Sequence, residues 1–290
     1  MKLYGAIVVY NEESIVKYVM PYLMKYGFDK LYIYDDGSTD KTIELIKSYN
    51  CNFIEFLDFS KYRKENIGFD LAKATLFQEL FLNGKKESME TGEYIWVYHS
   101  DFDEVLFNSN LVIDGTIKQT LINSDIDYNY YAGRTLNLIK GNDSVYGLAH
   151  MFENTKCFYW NYFGQKTFLI KCNDFTPFNY VFGFGNHFLS IEMENGRVAR
   201  NLNERGWIYA FHLKYFTYEY FYLKNKKNSK RDINGYIYRD DDEQIKEFYL
   251  METSQKFPIE MFYALSGFFV DRKIPTIDYF GMKLGDINAK

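Results

Sequence analysis

The feature that most constrains the fold is the alternation of short apolar segments with helical segments over the first hundred residues. Residues 3–10 form an unbroken apolar run, rich in β-branched side chains, which is typical of a strand buried on both faces of a parallel sheet. Further strands are predicted at 31–34, 53–56 and 94–98, and helices at 14–25, around 43–46 and at about 67–82. This order predicts an α/β fold with a mostly parallel, doubly wound sheet flanked by helices.

Local signals refine these predicted elements. Ser14 is a candidate N-cap for the first helix, and Gly27 is expected to end it. The polar segment 84–93 is expected to connect the third helix to the fourth strand as a loop.

The pattern changes near residue 125, and we predict a soft boundary there between residues 1–125 and 126–290 of one globular unit. Strands are predicted in the second part at 128–138, 166–171 and 208–213, and helices at 217–224 and 241–251. This part is therefore expected to be a smaller region of mixed α+β structure. Because 47% of the 290 residues are apolar, the chain can bury a sizeable core.

Composition excludes several functional classes. The formal net charge is −5, and the basic run at 224–231 is short, so the chain lacks the clustered positive charge that nucleic-acid binding requires. The three cysteines form no C-x-x-C pair, which favours a reducing cytoplasm over a zinc or redox site. We expect neither a signal peptide nor a membrane span, since no apolar run reaches about 18 residues. Peripheral association with the inner face of the membrane is left open.

Acidic clusters follow three of the predicted strands. Residues 11–13 (Asn-Glu-Glu) follow the first strand, Asp35 and Asp36 follow the second, and 100–104 (Ser-Asp-Phe-Asp-Glu) follow the fourth. Ligands of open α/β sheets bind beyond the carboxyl ends of the strands, so these clusters are expected to meet at one edge. Their carboxylates would repel each other unless a cation or a hydrogen-bonded ligand lay between them.

Asp101 and Asp103 are separated by one residue, so in an extended segment their side chains would share a face. Two oxygen ligands placed in this way suit Mg²⁺ or Mn²⁺, which would assist the departure of a nucleoside diphosphate as a Lewis acid. Asp35 or Asp36 could accept a hydrogen bond from the imide N–H of a uracil ring. For Asp40, the alternative to a ligand role is a structural one. Ser38 or Thr39 would cap the following helix, and the Asp40 charge would favour the helix dipole at its N-terminus.

These motifs, in this order, resemble the glycosyltransferase family 2 superfamily of GT-A fold, and in particular a bacterial branch whose acidic motif reads D-x-D-E. The resemblance rests on 11–13, 34–40 (Tyr-Asp-Asp-Gly-Ser-Thr-Asp) and 96–104 (Trp-Val-Tyr-His-Ser-Asp-Phe-Asp-Glu), and covers about residues 1–110. It implies that residues 1–125 bind a nucleotide sugar and that 126–290 bind the acceptor. The donor-binding residues expected on this basis are Tyr10, Asn11, Glu12, Glu13, Asp35, Asp36, Ser100, Asp101 and Lys224.

The second half matches the branch more loosely, at 163–170, 185–187 and 211–216 followed by Lys224. The resemblance implies a metal held by Asp101 and Asp103, with a C-terminal histidine as a third ligand. His212 is the first candidate for that ligand and His187 the second, with a hydrogen-bonded structural histidine as the alternative for each. Lys224 or Lys227 could meet phosphate charge, and a solvated lysine is the alternative. His99 is expected to be buried in the sheet.

The general base is not assigned by the resemblance, because the family's Glu-Asp or Gln-x-x-Arg-Trp signature is missing. Transfer with inversion would need a carboxylate near the acceptor hydroxyl, whereas a retaining enzyme would need none. Glu104, Glu153 and Glu192 are the candidates, in falling order, and Glu104 could instead hold a loop. The expected catalytic residues are therefore Asp103, Glu104 and Glu153.

Together these features predict a glycosyltransferase that moves a sugar from a UDP-sugar to a glycan or lipid-linked acceptor with Mn²⁺ or Mg²⁺. A nucleotidyltransferase is the first alternative, but the segment 11–13 lacks the glycine-rich, basic phosphate loop such enzymes carry. A non-catalytic carbohydrate-binding protein is the second, since 20% of the residues are aromatic. A dehydrogenase is disfavoured because no G-x-G-x-x-G follows the first strand. The oligomeric state is left open.

Overall fold

The computed structural model describes residues 1–62, 68–107, 117–122, 130–140, 155–172, 179–182, 189–192, 198–199, 205–207, 209–214, 216–229, 239–253 and 257–258.

The centre of the molecule is a parallel sheet made by the first four strands. These are β1 (Lys2–Val9), β2 (Lys30–Asp35), β3 (Ile54–Asp58) and β4 (Ile95–Asp101), in the spatial order β3-β2-β1-β4. Every pair in this group is parallel, as expected when helices connect consecutive strands. The predicted α/β class, with a mostly parallel sheet flanked by helices, is confirmed.

β5 and strands from the second half of the chain continue the same sheet beyond β4. They are β5 (Glu104–Phe107), β6 (Tyr130–Lys140), β7 (Thr155–Cys172), β11 (Arg205–Trp207), β12 (Tyr209–His212) and β13 (Phe257–Pro258). β7 runs antiparallel to β4, and the order continues β7-β6-β12-β5, with β11 on β6 and β13 on β7. A separate antiparallel sheet contains β8 (Asn179–Phe182), β9 (Leu189–Glu192) and β10 (Val198–Ala199). The domain boundary near residue 125 stays a prediction.

Helices cover both faces of the parallel strands. α1 (Glu13–Leu23) and α2 (Thr42–Ser48) pack on the face formed by side chains such as Ile7 and Ile33. α3 (Phe69–Thr91) packs on the opposite face, against alternate residues such as Ala6 and Val97. The unbroken apolar run of β1 is explained by this arrangement, because consecutive side chains enter the two different cores.

Three further helices belong to the rest of the described chain: α4 (Ile117–Ile122), α5 (Tyr218–Asn228) and α6 (Asp242–Thr253). α5 and α6 pack on each other through Phe221 and Ile245. Thr217 caps α5 by accepting a hydrogen bond from the Tyr220 N–H at 3.0 Å. No helix in the described part combines the length and the apolar character that crossing a bilayer requires.

The structure corrects several predicted element ends. α3 continues through Gly84 to Thr91, where a loop was predicted, because Gly84 lies against the sheet: an added Cβ would be 3.2 Å from Cys172 Sγ. Tertiary packing therefore overrides the low helix propensity of glycine. Ser14 is not a cap, since α1 already begins at Glu13, and α1 ends at Leu23, before Gly27.

Candidate active site

Strand register brings the acidic clusters to one level at the edge of the sheet. Val9 of β1 lies opposite Asp35 of β2, and Val8 lies opposite Asp101 of β4. Tyr10 and the segment 11–13 continue directly from β1, so they lie between the ends of the two neighbouring strands. The predicted meeting of the three clusters at the carboxyl ends of the strands is therefore what the structure shows.

Asn11 joins the loop after β1 to the loop after β2. Its φ of 55° lies in the left-handed region, which asparagine adopts more readily than most residues. Its side-chain Oδ1 accepts hydrogen bonds from the backbone N–H of Thr39 at 2.7 Å and of Asp40 at 3.2 Å, while its own N–H donates to Ser38 Oγ at 3.0 Å. Asn11 thus holds the 38–40 loop in place.

The loop after β2 differs from the predicted helix cap. α2 begins at Thr42, and its first N–H donates to Asp40 Oδ1 at 2.9 Å, so Ser38 and Thr39 do not cap it. Asp35 Oδ1 accepts the Ser38 N–H at 2.9 Å, and the Asp36 N–H donates to the Val9 carbonyl at 3.0 Å. These bonds shape the turn, and a contact of either carboxylate with a nucleoside stays a prediction.

Glu13 lies at the outer side of the same loops. Its N–H donates to Asp40 Oδ2 at 3.2 Å, and its Oε2 accepts the Lys41 N–H at 3.2 Å. The partners of Glu13 are therefore the Asp40 carboxylate and the Lys41 N–H, just before α2 begins at Thr42.

Asp103 is the centre of the site. It lies in the turn between β4 and β5, and its side chain is 2% exposed. Asp103 Oδ2 is 2.6 Å from Lys224 Nζ, 3.2 Å from His212 Nε2 and 3.5 Å from the Tyr220 hydroxyl. Burial alone would raise the pKa of Asp103, but Lys224 and His212 outweigh it and hold this pKa well below its usual range. Asp103 is therefore a buried, ionised carboxylate.

Glu12 shares these partners on the side nearer β1. The Tyr220 hydroxyl donates to Glu12 Oε2 at 2.6 Å, and Lys224 Nζ lies 3.4 Å from Glu12 Oε1. Burial raises the pKa of Glu12 to about 7, against the opposing effect of Lys224 and with a further contribution from the charge of Asp103. Of the two carboxylates around Lys224, Glu12 is therefore the one that takes up a proton near neutral pH.

Asp101 has a different positive partner. Lys73 of α3, which is 3% exposed, donates to Asp101 Oδ1, and the Asp101 side chain is 30% exposed. Asp101 and Asp103 thus follow one strand but point to different cations. The extended strand ends at Asp101 and a turn follows it, yet the charge of Asp101 still acts on the pKa of Asp103. A cation shared by the two carboxylates therefore stays a prediction.

Glu104 stabilises this turn. Its Oε2 accepts the Ser100 hydroxyl at 2.8 Å and the Asp101 N–H at 3.3 Å, and the residue is 1% exposed. The loop-holding alternative for Glu104 therefore has direct structural support, whereas a role as general base stays a prediction. Ser100 contributes its hydroxyl to the same turn.

Helix α5 supplies three polar side chains to the site, Tyr220, Lys224 and Lys227. Their spacing of four and three residues places them on one side of the helix. Tyr220 and Lys224 reach Glu12 and Asp103, and Lys227 Nζ lies 3.4 Å from Asp40 Oδ2 and 3.5 Å from the Asn11 carbonyl. The basic run predicted as a solvated helix end therefore contains two lysines that face the acidic edge.

Sequence reasoning missed Tyr220 and Lys73. Tyr220 precedes Lys224 by one helical turn, so the choice of Lys224 could have led to it. Lys73 is a single lysine within the apolar segment 71–74 (Leu-Ala-Lys-Ala) of a predicted helix, and a charge at such a position indicates a buried partner.

Other predicted residues lie outside what the structure describes. Glu153 and His187, proposed as catalytic residue and metal ligand, fall on undescribed residues. Glu192 ends β9, and only its backbone is described. His99 is buried in β4, as predicted, and stacks on Phe77 with ring centroids 4.4 Å apart.

A cation held by Asp103 and His212 stays a prediction, and the substrate would have to complete its coordination. Within the described residues, no three His, Cys, Asp or Glu side chains converge as a metal-binding group. Asp103 Oδ2 and His212 Nε2 nevertheless lie 3.2 Å apart as neighbouring donors. Mg²⁺ is commonly held by one or two carboxylates together with substrate phosphates, and this donor set suits such a site if Lys224 moves away from Asp103.

The sequence matches no protein-family model and no curated protein sequence. Solved structures with some similarity include glucosyl-3-phosphoglycerate synthase from Mycobacterium tuberculosis, at 15% identity and a TM-score of 0.28, over 47% of this chain and 44% of that one. One structure of that synthase contains Mn²⁺, UDP-glucose and phosphoglyceric acid. S. aureus TarS is similar at 16% identity and a TM-score of 0.35, over 87% of this chain and 43% of that one.

This chain thus spans less than half the length of either solved protein. Similarity at such TM-scores carries no argument about activity, and the function is therefore inferred from the site itself.

Proposed function

We propose that this protein is a glycosyltransferase that takes a sugar from a nucleotide sugar, with UDP as the leaving group, and passes it to a glycan or lipid-linked acceptor. The observation that carries the proposal is the convergence of Glu12, Asp103, His212 and Lys224 at the carboxyl ends of parallel strands. In open α/β sheets this edge is where nucleotides bind. Buried charges held close together at such an edge are costly for folding, which supports a functional role.

The loops after β1 and β2 would receive the nucleoside. Asn11 fixes the 38–40 loop, and Asp35 fixes the turn that follows β2, so the rim of the crevice is built before a ligand arrives. The resemblance noted for this segment implies that Asp35 or Asp36 contacts the base. A carboxylate there would accept a hydrogen bond from the imide N–H of uracil.

Helix α5 would receive the diphosphate. Lys224 and Lys227 project from it toward the acidic edge, and a diphosphate bound there would give both ammonium groups anionic partners besides Asp103 and Asp40. Lysine is a common ligand of phosphate charge. Asp103 and His212 would hold Mn²⁺ or Mg²⁺, which when bound stabilises negative charge on the leaving diphosphate.

In the proposed reaction, the bond between the anomeric carbon and the diphosphate oxygen breaks, and its electron pair stays on the diphosphate. A bond forms between the acceptor oxygen and the anomeric carbon, and the acceptor hydroxyl loses its proton. We propose an inverting reaction, in which a carboxylate takes this proton. Glu104 and Glu153 are the candidates from the sequence, and the position of Glu104 in the 100–104 turn argues for testing Glu153 first.

Calorimetry of UDP binding tests the proposal. Wild-type protein is expected to bind UDP in the presence of Mn²⁺, and Asp103→Ala to lose this metal-dependent binding, since it removes the carboxylate nearest His212 and Lys224. Transfer or hydrolysis of a nucleotide sugar should fall by about 100-fold or more. A matched control is Asp240→Ala, which removes a carboxylate with a 64% exposed side chain near α6.

Two results would contradict the proposal. The first is UDP binding that Asp103→Ala leaves unchanged. The second is a panel of nucleotide sugars of which none is hydrolysed or transferred by the wild-type protein, with or without Mn²⁺.

A further inference from the structure

A cavity lies on the other side of the sheet from α1 and α2, between β1, β2 and α3. Its volume is about 200 Å³, and its lining includes the side chains of Tyr4, Tyr32, Tyr34 and Tyr62. It shares no lining residue with the carboxylate cluster around Asp103. This space equals about six or seven liquid water molecules at roughly 30 Å³ each, which suits one small ring rather than an extended ligand.

One wall of the cavity is aromatic. Tyr34 packs edge-on against Tyr62, with ring centroids 5.9 Å apart, and lies 6.5 Å from the ring of Tyr32. Tyr34 and Tyr62 are buried, whereas Tyr32 is half-buried. Such a wall gives a ligand aromatic carbon atoms to contact, chiefly at the half-buried Tyr32, with hydroxyl groups at the ring edges.

The rest of the lining comes from α3 and is mixed, with Leu76, Leu80 and Gly84 beside three polar residues. Glu79, Asn83 and Glu87 follow each other at intervals of four residues along α3, so they form a row on one side of it. Tyr62 donates to Glu79 Oε2 at 2.7 Å, and Tyr4 donates to Glu87 Oε1 at 2.8 Å. Asn83 is exposed, its side chain makes no hydrogen bond to any residue of the described chain, and its position in α3 is one turn from each of the two glutamates.

The charges of these carboxylates are matched by lysines at the rim. Lys2 Nζ lies 2.6 Å from Glu87 Oε1, and Lys61 Nζ lies 3.6 Å from Glu79 Oε1. Lys61 and Lys30 also lie over the rings of Tyr62 and Tyr32, at 4.5 Å and 6.0 Å from their centroids. Cations of the protein thus already meet the acidic groups and one face each of Tyr62 and Tyr32, which disfavours a cationic ligand and favours a neutral one.

We propose that this cavity binds one neutral sugar residue, which stacks on the tyrosines and exchanges hydrogen bonds with Asn83 and the two carboxylates. A sugar ring combines apolar C–H faces with hydroxyls that both donate and accept, and the two walls offer the matching groups. The site would hold a carbohydrate apart from the reaction centre. The inference does not depend on the proposed activity.

A titration with D-glucose, D-galactose and N-acetylglucosamine, followed by NMR without nucleotide, tests the site. At least one sugar is expected to bind with a Kd in the millimolar range, up to about 50 mM. Asn83→Ala should weaken this binding about fivefold or more, and Tyr32→Leu, which removes the stacking face but stays apolar, by about threefold or more. Lys86→Ala, at a 77% exposed position on the same helix, is the control and should change nothing.

Asp103→Ala separates this site from the candidate active site. If sugar binding is unchanged in Asp103→Ala but weaker in Asn83→Ala, the result supports the cavity as the sugar-binding site. This conclusion holds whatever the outcome of the UDP experiment. The inference is overturned if no sugar binds at about 50 mM, if Asn83→Ala and Tyr32→Leu bind as the wild type does, or if Asp103→Ala abolishes binding. It is also overturned if tetramethylammonium binds in the cavity and the sugars do not.

Discussion

Asp101 and Asp103 lie two residues apart, yet their surroundings differ. The Asp101 side chain is 30% exposed and meets Lys73, which belongs to the same half of the chain, 28 residues away. Asp103 is 2% exposed and meets Lys224, which is 121 residues away on α5. Water can therefore help to solvate Asp101, whereas Asp103 depends on groups that only the second half of the chain supplies. The difference indicates that α5 completes the site and also holds it together.

Replacing Lys224 is expected to have the largest effect on stability. Lys224→Met leaves the buried Asp103 without its nearest cation, which should lower the free energy of unfolding by about 3–5 kcal/mol in urea denaturation at pH 7. Lys226→Met is the matched control, because Lys226 lies on the same helix and pairs at the surface with Asp242, and this variant should unfold at nearly the same urea concentration as the wild type.

The same variant tests whether Asp103 and His212 bind a divalent cation. If Asp103 and His212 hold a divalent ion, Mn²⁺ should raise the Tm of Lys224→Met more than that of the wild type, since the ion replaces the lost ammonium charge. If Lys224→Met were as stable as Lys226→Met, the buried Asp103 would not depend on Lys224, and the contrast with Asp101 would be wrong.

The next effect in size concerns pH. The pKa of Glu12 is raised by burial from its ordinary value of 4.5 to about 7, so the folded state binds this proton more tightly than the unfolded state. The contribution of Glu12 to stability is therefore greatest below pH 4.5 and is lost as the pH rises through 7. At about 1.4 kcal/mol per pKa unit, the loss between pH 5 and pH 8 amounts to about 3 kcal/mol.

Glu12→Gln should remove this pH dependence, because glutamine stays neutral throughout. Denaturation measured from pH 5 to pH 8 should show the wild type losing stability relative to the variant. Glu13→Gln, at the exposed neighbouring position, serves as the control and should follow the wild-type curve. Parallel curves for the wild type and Glu12→Gln would show that Glu12 does not titrate in this range.

The smallest expected effect belongs to Lys73. In Lys73→Met the partly exposed Asp101 can be solvated by water, and methionine fills the buried space of the lysine stem, so the unfolding free energy should change by no more than about 1 kcal/mol. Urea denaturation under the conditions used for Lys224→Met checks this. An equal cost for the two variants would mean that exposure does not distinguish the two carboxylates.

Much of the fold could be predicted from local patterns. The apolar run of β1 and the periodic segments that follow it indicated the parallel strands and their helices, and the strand ends indicated where Asn11, Asp35 and Asp101 would lie. These predictions succeeded because strand and helix periodicity depend on residues close in the chain. The extension of α3 past Gly84 was missed, since the reason for it is contact with Cys172, a residue far away in sequence.

The sequence by itself determined that acidic groups would gather at one edge of a parallel sheet, because strands of this pattern end at the same level. Only the tertiary structure decided which cation each carboxylate meets, and hence that Asp103 is ionised and that Glu12 has a pKa near 7. The physical reason is that pairing and burial depend on how α3 and α5 pack against the sheet. Such long-range contacts leave no periodic signal in the chain.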